Sequence, residues 1–140
     1  MNQLLKSFLI QILRKASYKW IPRTKARNKF RVKVGEFSTG KDKFGYQCNI
    51  CKNIFMAKET VMDHINPVVP PEGYKSGKDF DLEEYAERMF CDEFNFQCIC
   101  SMCHDIKTKD ENQIRKDKRQ SKKIIINKKS TKIPSGNKNS

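Results

Sequence analysis

Val61-Met62-Asp63-His64-Ile65-Asn66-Pro67 and Asn95-Phe96-Gln97-Cys98-Ile99-Cys100-Ser101-Met102-Cys103-His104 are the two stretches whose reading decides this fold. Each holds one of only two histidines in 140 residues. The second stretch contains Cys100-x-x-Cys103, and a matching pair, Cys48-x-x-Cys51, precedes the first. The pairs therefore have to meet in space, and the segments they carry meet with them.

Zinc takes four soft ligands in a tetrahedron, and a Cys-x-x-Cys turn supplies two of them. Cys48, Cys51, Cys100 and Cys103 read as a closed, structural Zn2+ site. A closed shell leaves no position for substrate, so its work is to pin the segment bearing His104 to the one bearing Asp63 and His64. The 48 residues between the pairs are too many for an isolated zinc ribbon. They leave room for a strand, an inserted helix and the loop at Asn95. Cys91 and Cys98 are left over as apolar thiols. Cys98 is a weaker rival ligand, because Cys98-x-Cys100 is the poorer bite. Disulfides are the rival reading of six cysteines. Lys6 interrupts the first apolar run and no small-residue cleavage site follows, so a secretory leader is not expected. Leu4–Leu13 is also too short and too charged to cross a bilayer. No membrane partner and a reducing, cytoplasmic setting are expected.

Working outward, Leu4, Leu5, Phe8, Leu9, Ile12, Leu13 and Ala16 recur at helical spacing. They predict an amphipathic helix of about fifteen residues, stopped near Trp20 by Pro22. Residues 23–34 put six cations in twelve positions and end in alternating Phe30, Val32 and Val34, a short strand. Residues 35–43 read as a loop. Phe44–Gln47 and Ile54-Phe55 read as strands flanking a zinc knuckle, and Thr60–His64 as the next strand. Pro67–Gly73 is irregular. Asp81, with Glu84 three residues on, opens a helix that buries Leu82, Tyr85, Ala86, Met89 and Phe90. After a brief extended run from Phe96, a helix begins near Cys100. It carries Cys103 and His104, then continues or restarts at Thr108 and Glu111, to about Lys118.

Charge divides the chain. Residues 1–34 carry ten Lys/Arg and no acid, residues 35–114 nine against fifteen acids, and residues 115–140 ten against one. Two cationic ends flank an acidic middle, a distribution that attracts a polyanion. The expected divisions are 1–34, a basic helical arm; 35–118, the zinc-bearing domain; and 119–140, a basic disordered tail. Arg23, Lys25, Arg27, Lys29 and Arg31 are the candidate phosphate contacts of the arm, and Lys107 that of the domain. The alternative is that both ends are only solvated.

Hydrolysis of a phosphodiester needs a base to activate water and a cation to neutralise the transition state. His64 suits the first role, since an imidazole is largely neutral at pH 7. On a strand, Asp63 points to the opposite face. The set Asp63-His64, Asn95, Gln97, Cys100-x-x-Cys103-His104 and Lys107-Thr108 resembles the HNH endonucleases, in particular the small free-standing ones carried by phages. The resemblance spans roughly residues 44–112. It departs from the common pattern at Phe96, Cys98 and Ile99.

That resemblance implies an α+β chain with a ββα-metal (His-Me finger) fold, here with a zinc knuckle and an N-terminal amphipathic helix. It implies that Asp63 and His104 bind a catalytic Mg2+ or similar cation, that His64 activates water, and that Asn95 orients His64. The implied activity is nicking or double-strand cutting of duplex DNA, leaving 5′-phosphate and 3′-hydroxyl ends. The setting would be the host cytoplasm if the chain is phage-encoded. A homodimer or a phage DNA-processing partner remains open. The rival reading is a non-catalytic zinc module that binds DNA or a protein. A third is an enzyme acting on RNA, which the resemblance disfavours.

Overall fold

The computed structural model describes residues 1–131. Its first element is set by Asn2, whose side-chain oxygen accepts the Leu5 N–H at 2.8 Å and caps helix α1, Gln3–Ser17. Pro22 then does more than stop that helix. It occupies the first turn of a second one, α2 (Ile21–Lys29), where its missing N–H costs nothing. Trp20 joins the two: its indole N–H donates to the Cys91 carbonyl at 2.7 Å, and its ring meets Phe90 edge-on at 5.5 Å.

Strands β1 (Arg31–Glu36), β2 (Asp42–Gln47) and β3 (Ile54–Phe55) form one antiparallel sheet in that order. Its register sets Arg31 against Tyr46 and Tyr46 against Phe55. A bulge interrupts the β1–β2 ladder between Lys33 and Gly35. At Gly45 a Cβ would stand 2.6 Å from the Ile54 Cγ2, so only glycine lets β2 lie this close to β3. The expected boundary between arm and domain, at 34/35, falls inside β1. The basic N-terminal segment is therefore built into the sheet.

Strand β4, Thr60–His64, pairs antiparallel with β5, Phe96–Cys100. The register places Asp63 opposite Gln97 and His64 opposite Phe96. Every residue of β5 is buried. α2 lies against it, and Ala26, 1 % exposed, is the small residue at that approach. Helix α4, Ser101–Ser130, follows β5 directly. The chain thus holds hairpin and helix in immediate succession. Helix α3, Leu82–Met89, sits in the connection between β4 and β5 and packs on α1. Asp81 caps it by accepting the Glu84 N–H at 3.0 Å. The Glu84 carboxylate does not return the bond; it accepts from the Lys75 N–H and from Arg88.

Two apolar clusters result. One gathers Cys48, Ile99 and Cys100 with Phe55, Val61 and Cys103. The other gathers Tyr74, Tyr85 and Met89 with Ile10, Leu13, Val68, Phe80 and Phe90. The expectation of disorder from residue 119 is corrected over 119–130, which continue α4. Lys, Arg, Gln and Ile are good or tolerable helix formers, and a helix already nucleated propagates through them. The remainder of that expected tail, 132–140, lies outside the described residues. No described helix is long and apolar enough to cross a membrane.

Candidate functional site

Four thiols converge where the β2–β3 turn meets the start of α4. The sulfurs of Cys48, Cys51, Cys100 and Cys103 all lie within 4.8 Å of one another, with Cys51 and Cys100 at 4.0 Å. A tetrahedral shell with metal–sulfur bonds of about 2.3 Å has edges of about 3.8 Å. The donors are soft and the spacing fits, so the cluster could hold a metal such as zinc. Backbone geometry explains the convergence. Lys52, at φ 64°, turns the knuckle so that its N–H donates to the Cys48 carbonyl at 3.0 Å. The Asn49 N–H donates to the Cys98 carbonyl at 2.8 Å, tying the knuckle to β5. Cys100 is the N-cap of α4, and its sulfur accepts the Cys103 N–H.

The thiols of the cluster do not ionise alike. Burial resists ionisation of Cys48, but hydrogen bonds from the backbone of Cys100, Cys51 and Ile50 outweigh it and bring its thiol down to about 6. Hydrogen bonding to Cys100, followed by burial, pushes Cys103 up to about 12. Cys98 is not part of this group. It is buried on β5, where burial raises its thiol. Burial likewise raises Cys91.

The two histidines, forty positions apart in sequence, line one cavity of about 360 Å3. Met62 and Met89 line it with them, and Arg14 and Arg23 supply positive charge. His104 also borders an adjoining cavity of about 570 Å3 together with Arg23 and Arg27. The His64 Nε2 lies 3.1 Å from the Met89 carbonyl. A carbonyl only accepts, which assigns the proton to Nε2 and leaves the Nδ1 lone pair free. The ring also rests on Phe96 at 4.7 Å. Burial lowers the His64 pKa from the ordinary value, with Arg23 and Lys107 adding to the effect against the Met89 carbonyl and Asp63. The shift favours the neutral imidazole.

Asn95 holds the segment that follows His64. Its backbone carbonyl accepts the Ile65 N–H at 2.8 Å, and its side chain accepts the Asn66 N–H at 2.9 Å while donating to the Asn66 carbonyl. These contacts are to the backbone just after His64 and not to its ring.

Asp63 lies elsewhere. It is not among the residues lining the histidine cavity. Its Oδ2 accepts from Gln97 at 3.1 Å and pairs with the Lys107 ammonium at 3.0 Å. Strand alternation accounts for the separation, since Met62 and His64 share one face of β4 and Asp63 the other. As arranged, the Asp63 carboxylate is engaged by Lys107 and Gln97 and does not line the cavity that His104 lines. Lys107 is also not free for phosphate. It donates to the His64 carbonyl at 3.0 Å and pairs with Glu111 as well as Asp63. Burial works against its charge, but Glu111 and Asp63 outweigh it and raise its pKa.

The basic candidates divide. Arg23 and Arg27 line the cavities beside His104, held over Tyr18 at 4.5 Å and Tyr46 at 4.6 Å. Arg31 stacks on Phe44 at 4.3 Å. Lys29 pairs with Glu93 at 3.2 Å, and Lys25 is exposed. Sequence reasoning missed the Met89 carbonyl, which has no side-chain signature, and Arg14, hidden in the polar face of a helix read for its apolar one.

Compared with family models, curated proteins and solved structures, the chain matches none.

Proposed function

We propose that this chain is an HNH-type endonuclease that hydrolyses phosphodiester bonds of duplex DNA, with a structural Zn2+ on Cys48, Cys51, Cys100 and Cys103. The observation that carries it is the meeting of the chain's only two histidines in one cation-rimmed cavity. The succession β4, β5, α4 supports a ββα-metal core. His64 is the general base: its Nδ1 takes a proton from the attacking water while the Met89 carbonyl keeps Nε2 protonated and the ring fixed. Arg23, partly buried beside it, offsets charge developing on the phosphate. Asn95 keeps the turn after His64 in register.

The resemblance also implies a catalytic Mg2+ at Asp63 and His104. That site would require Asp63 to leave Lys107, so no step is assigned to it. The same ion pair favours the second reading, a zinc module that binds DNA or protein without cutting it. Supercoiled plasmid incubated with and without Mg2+ separates the two. Nicked or linear product that disappears in His64→Ala supports the nuclease; intact plasmid under all conditions leaves the binding module.

A further inference from the structure

The loop 66–79 between β4 and α3 is strapped down by cations. Arg88 donates to the Pro67 carbonyl, Arg115 to the Val69 carbonyl at 2.8 Å, and Lys118 to the Glu72 carbonyl. The two α4 residues do more than anchor the strap. With Arg119 and Lys122 they line a cleft of about 440 Å3 between α4 and the strap. Residues 115, 118, 119 and 122 are three or four apart, so they share one helix face. Lys6 enters from α1, and Lys78 from the strap itself. Two acids, Glu72 and Asp79, stand in the same wall and leave the cleft cationic. Lys78, Arg119 and Lys122 make no ion pair among the described residues. Their charge is unspent. Val69 lines both this cleft and the histidine cavity, so the two adjoin across the strap.

We propose that this cleft is a second phosphate-binding site, which holds the backbone of duplex DNA beside the histidine cavity. The choice of DNA as polyanion rests on the nuclease reading above. A nucleic acid fits better than an acidic protein because the positive face does not end with the cleft. Lys129, seven residues beyond Lys122, lies on that same face of α4, Lys123 and Lys128 add charge to its other sides, and no acid follows Asp117. A repeating polyanion uses such a length, whereas an acidic peptide needs apolar anchors at its centre. The strap then has a role: it sets the separation between phosphates bound in the cleft and the phosphate presented to His64.

The test measures binding, not cutting. The triple variant Lys78→Gln/Arg119→Gln/Lys122→Gln touches none of the strap's carbonyl bonds, and zinc content with circular dichroism verifies its fold. A fluorescent duplex oligonucleotide is titrated in EDTA-free, Mg2+-free buffer across a salt series. Three lost phosphate contacts should flatten the slope of log K against log salt by about 2.7, at about 0.9 per contact. An unchanged slope overturns the proposal. So does a wild-type protein that binds no duplex, or one in which the triple variant loses binding to polyglutamate and not to DNA. Cleft-dependent DNA binding by a wild-type protein that never cuts plasmid upholds the cleft and removes the nuclease reading alone.

Discussion

A single imidazole carries most of the chemistry assigned to this chain, and its surroundings fix what it can do. His64 donates its Nε2–H to a backbone carbonyl and has its pKa lowered by burial. His64→Ala should lower plasmid cleavage by a factor of about 10² to 10⁴, the usual worth of a positioned base. Zinc content and duplex binding should stay at the wild-type level, because His64 touches neither the thiols nor the cleft. The rising limb of the pH–rate profile should have its midpoint below 6.5, since the folded pKa lies below that value. The same shift has a sign for stability. Between the folded pKa and 6.5 the unfolded chain binds more protons, so acid destabilises the fold through that window. Above 6.5 the contribution is fully present. Urea midpoints at pH 7.5 and 5.5 should therefore differ less in His64→Gln than in wild type. Lys107 has a different residue-scale role. Lys107→Met leaves the largely buried Asp63 carboxylate with only Gln97, while Glu111 keeps Arg115, and should cost about 1–3 kcal/mol in a urea titration.

Among the elements, the knuckle between β2 and β3 is where metal, turn and hairpin meet. Cys48→Ser should remove the metal measured per chain and unfold the zinc end, because the thiols are close enough to share an ion and have no other core to replace it. Lys52→Gly should leave the knuckle intact and raise stability by up to about 1 kcal/mol, since a side chain at φ 64° is strained there. Much of this region is legible in the chain itself. Cys-x-x-Cys spacing, Phe44–Gln47 and Ile54-Phe55 lead to the knuckle and its two strands, and Asp81 marks the start of α3. α2 is not legible in the same way. Its one buried residue is an alanine among cations, so hydrophobic periodicity is silent and only Pro22 hints at a helix start. The far half of α4 hides for the opposite reason: its composition reads as a charged tail, yet it propagates from a helix nucleated at Cys100. In the site, the two histidines and the cysteines are readable from spacing. The Asp63–Lys107 pair is not, because a strand's alternation shows that Asp63 turns away from His64 but not what it turns toward.

At the scale of the whole molecule, positive charge is concentrated on α1, α2 and α4 around an acidic middle. Removing residues 119–140 should flatten the salt dependence of duplex binding while leaving zinc bound, as anisotropy titrations and metal analysis of the truncated protein would read. The two apolar clusters sit at opposite ends of the β4–β5 hairpin, one with the thiols and the other with α1 and α3. Trp20, the only tryptophan, belongs to the second end, sealed by its bond to the Cys91 carbonyl. The protein therefore comes with a built-in optical reporter, and it sits away from the four thiols. Adding a chelator to metal-loaded protein while following Trp20 emission measures how far a disturbance at the thiols travels. A red shift that keeps pace with metal loss would mean that the hairpin transmits the whole transition, and that this small chain melts as one cooperative unit.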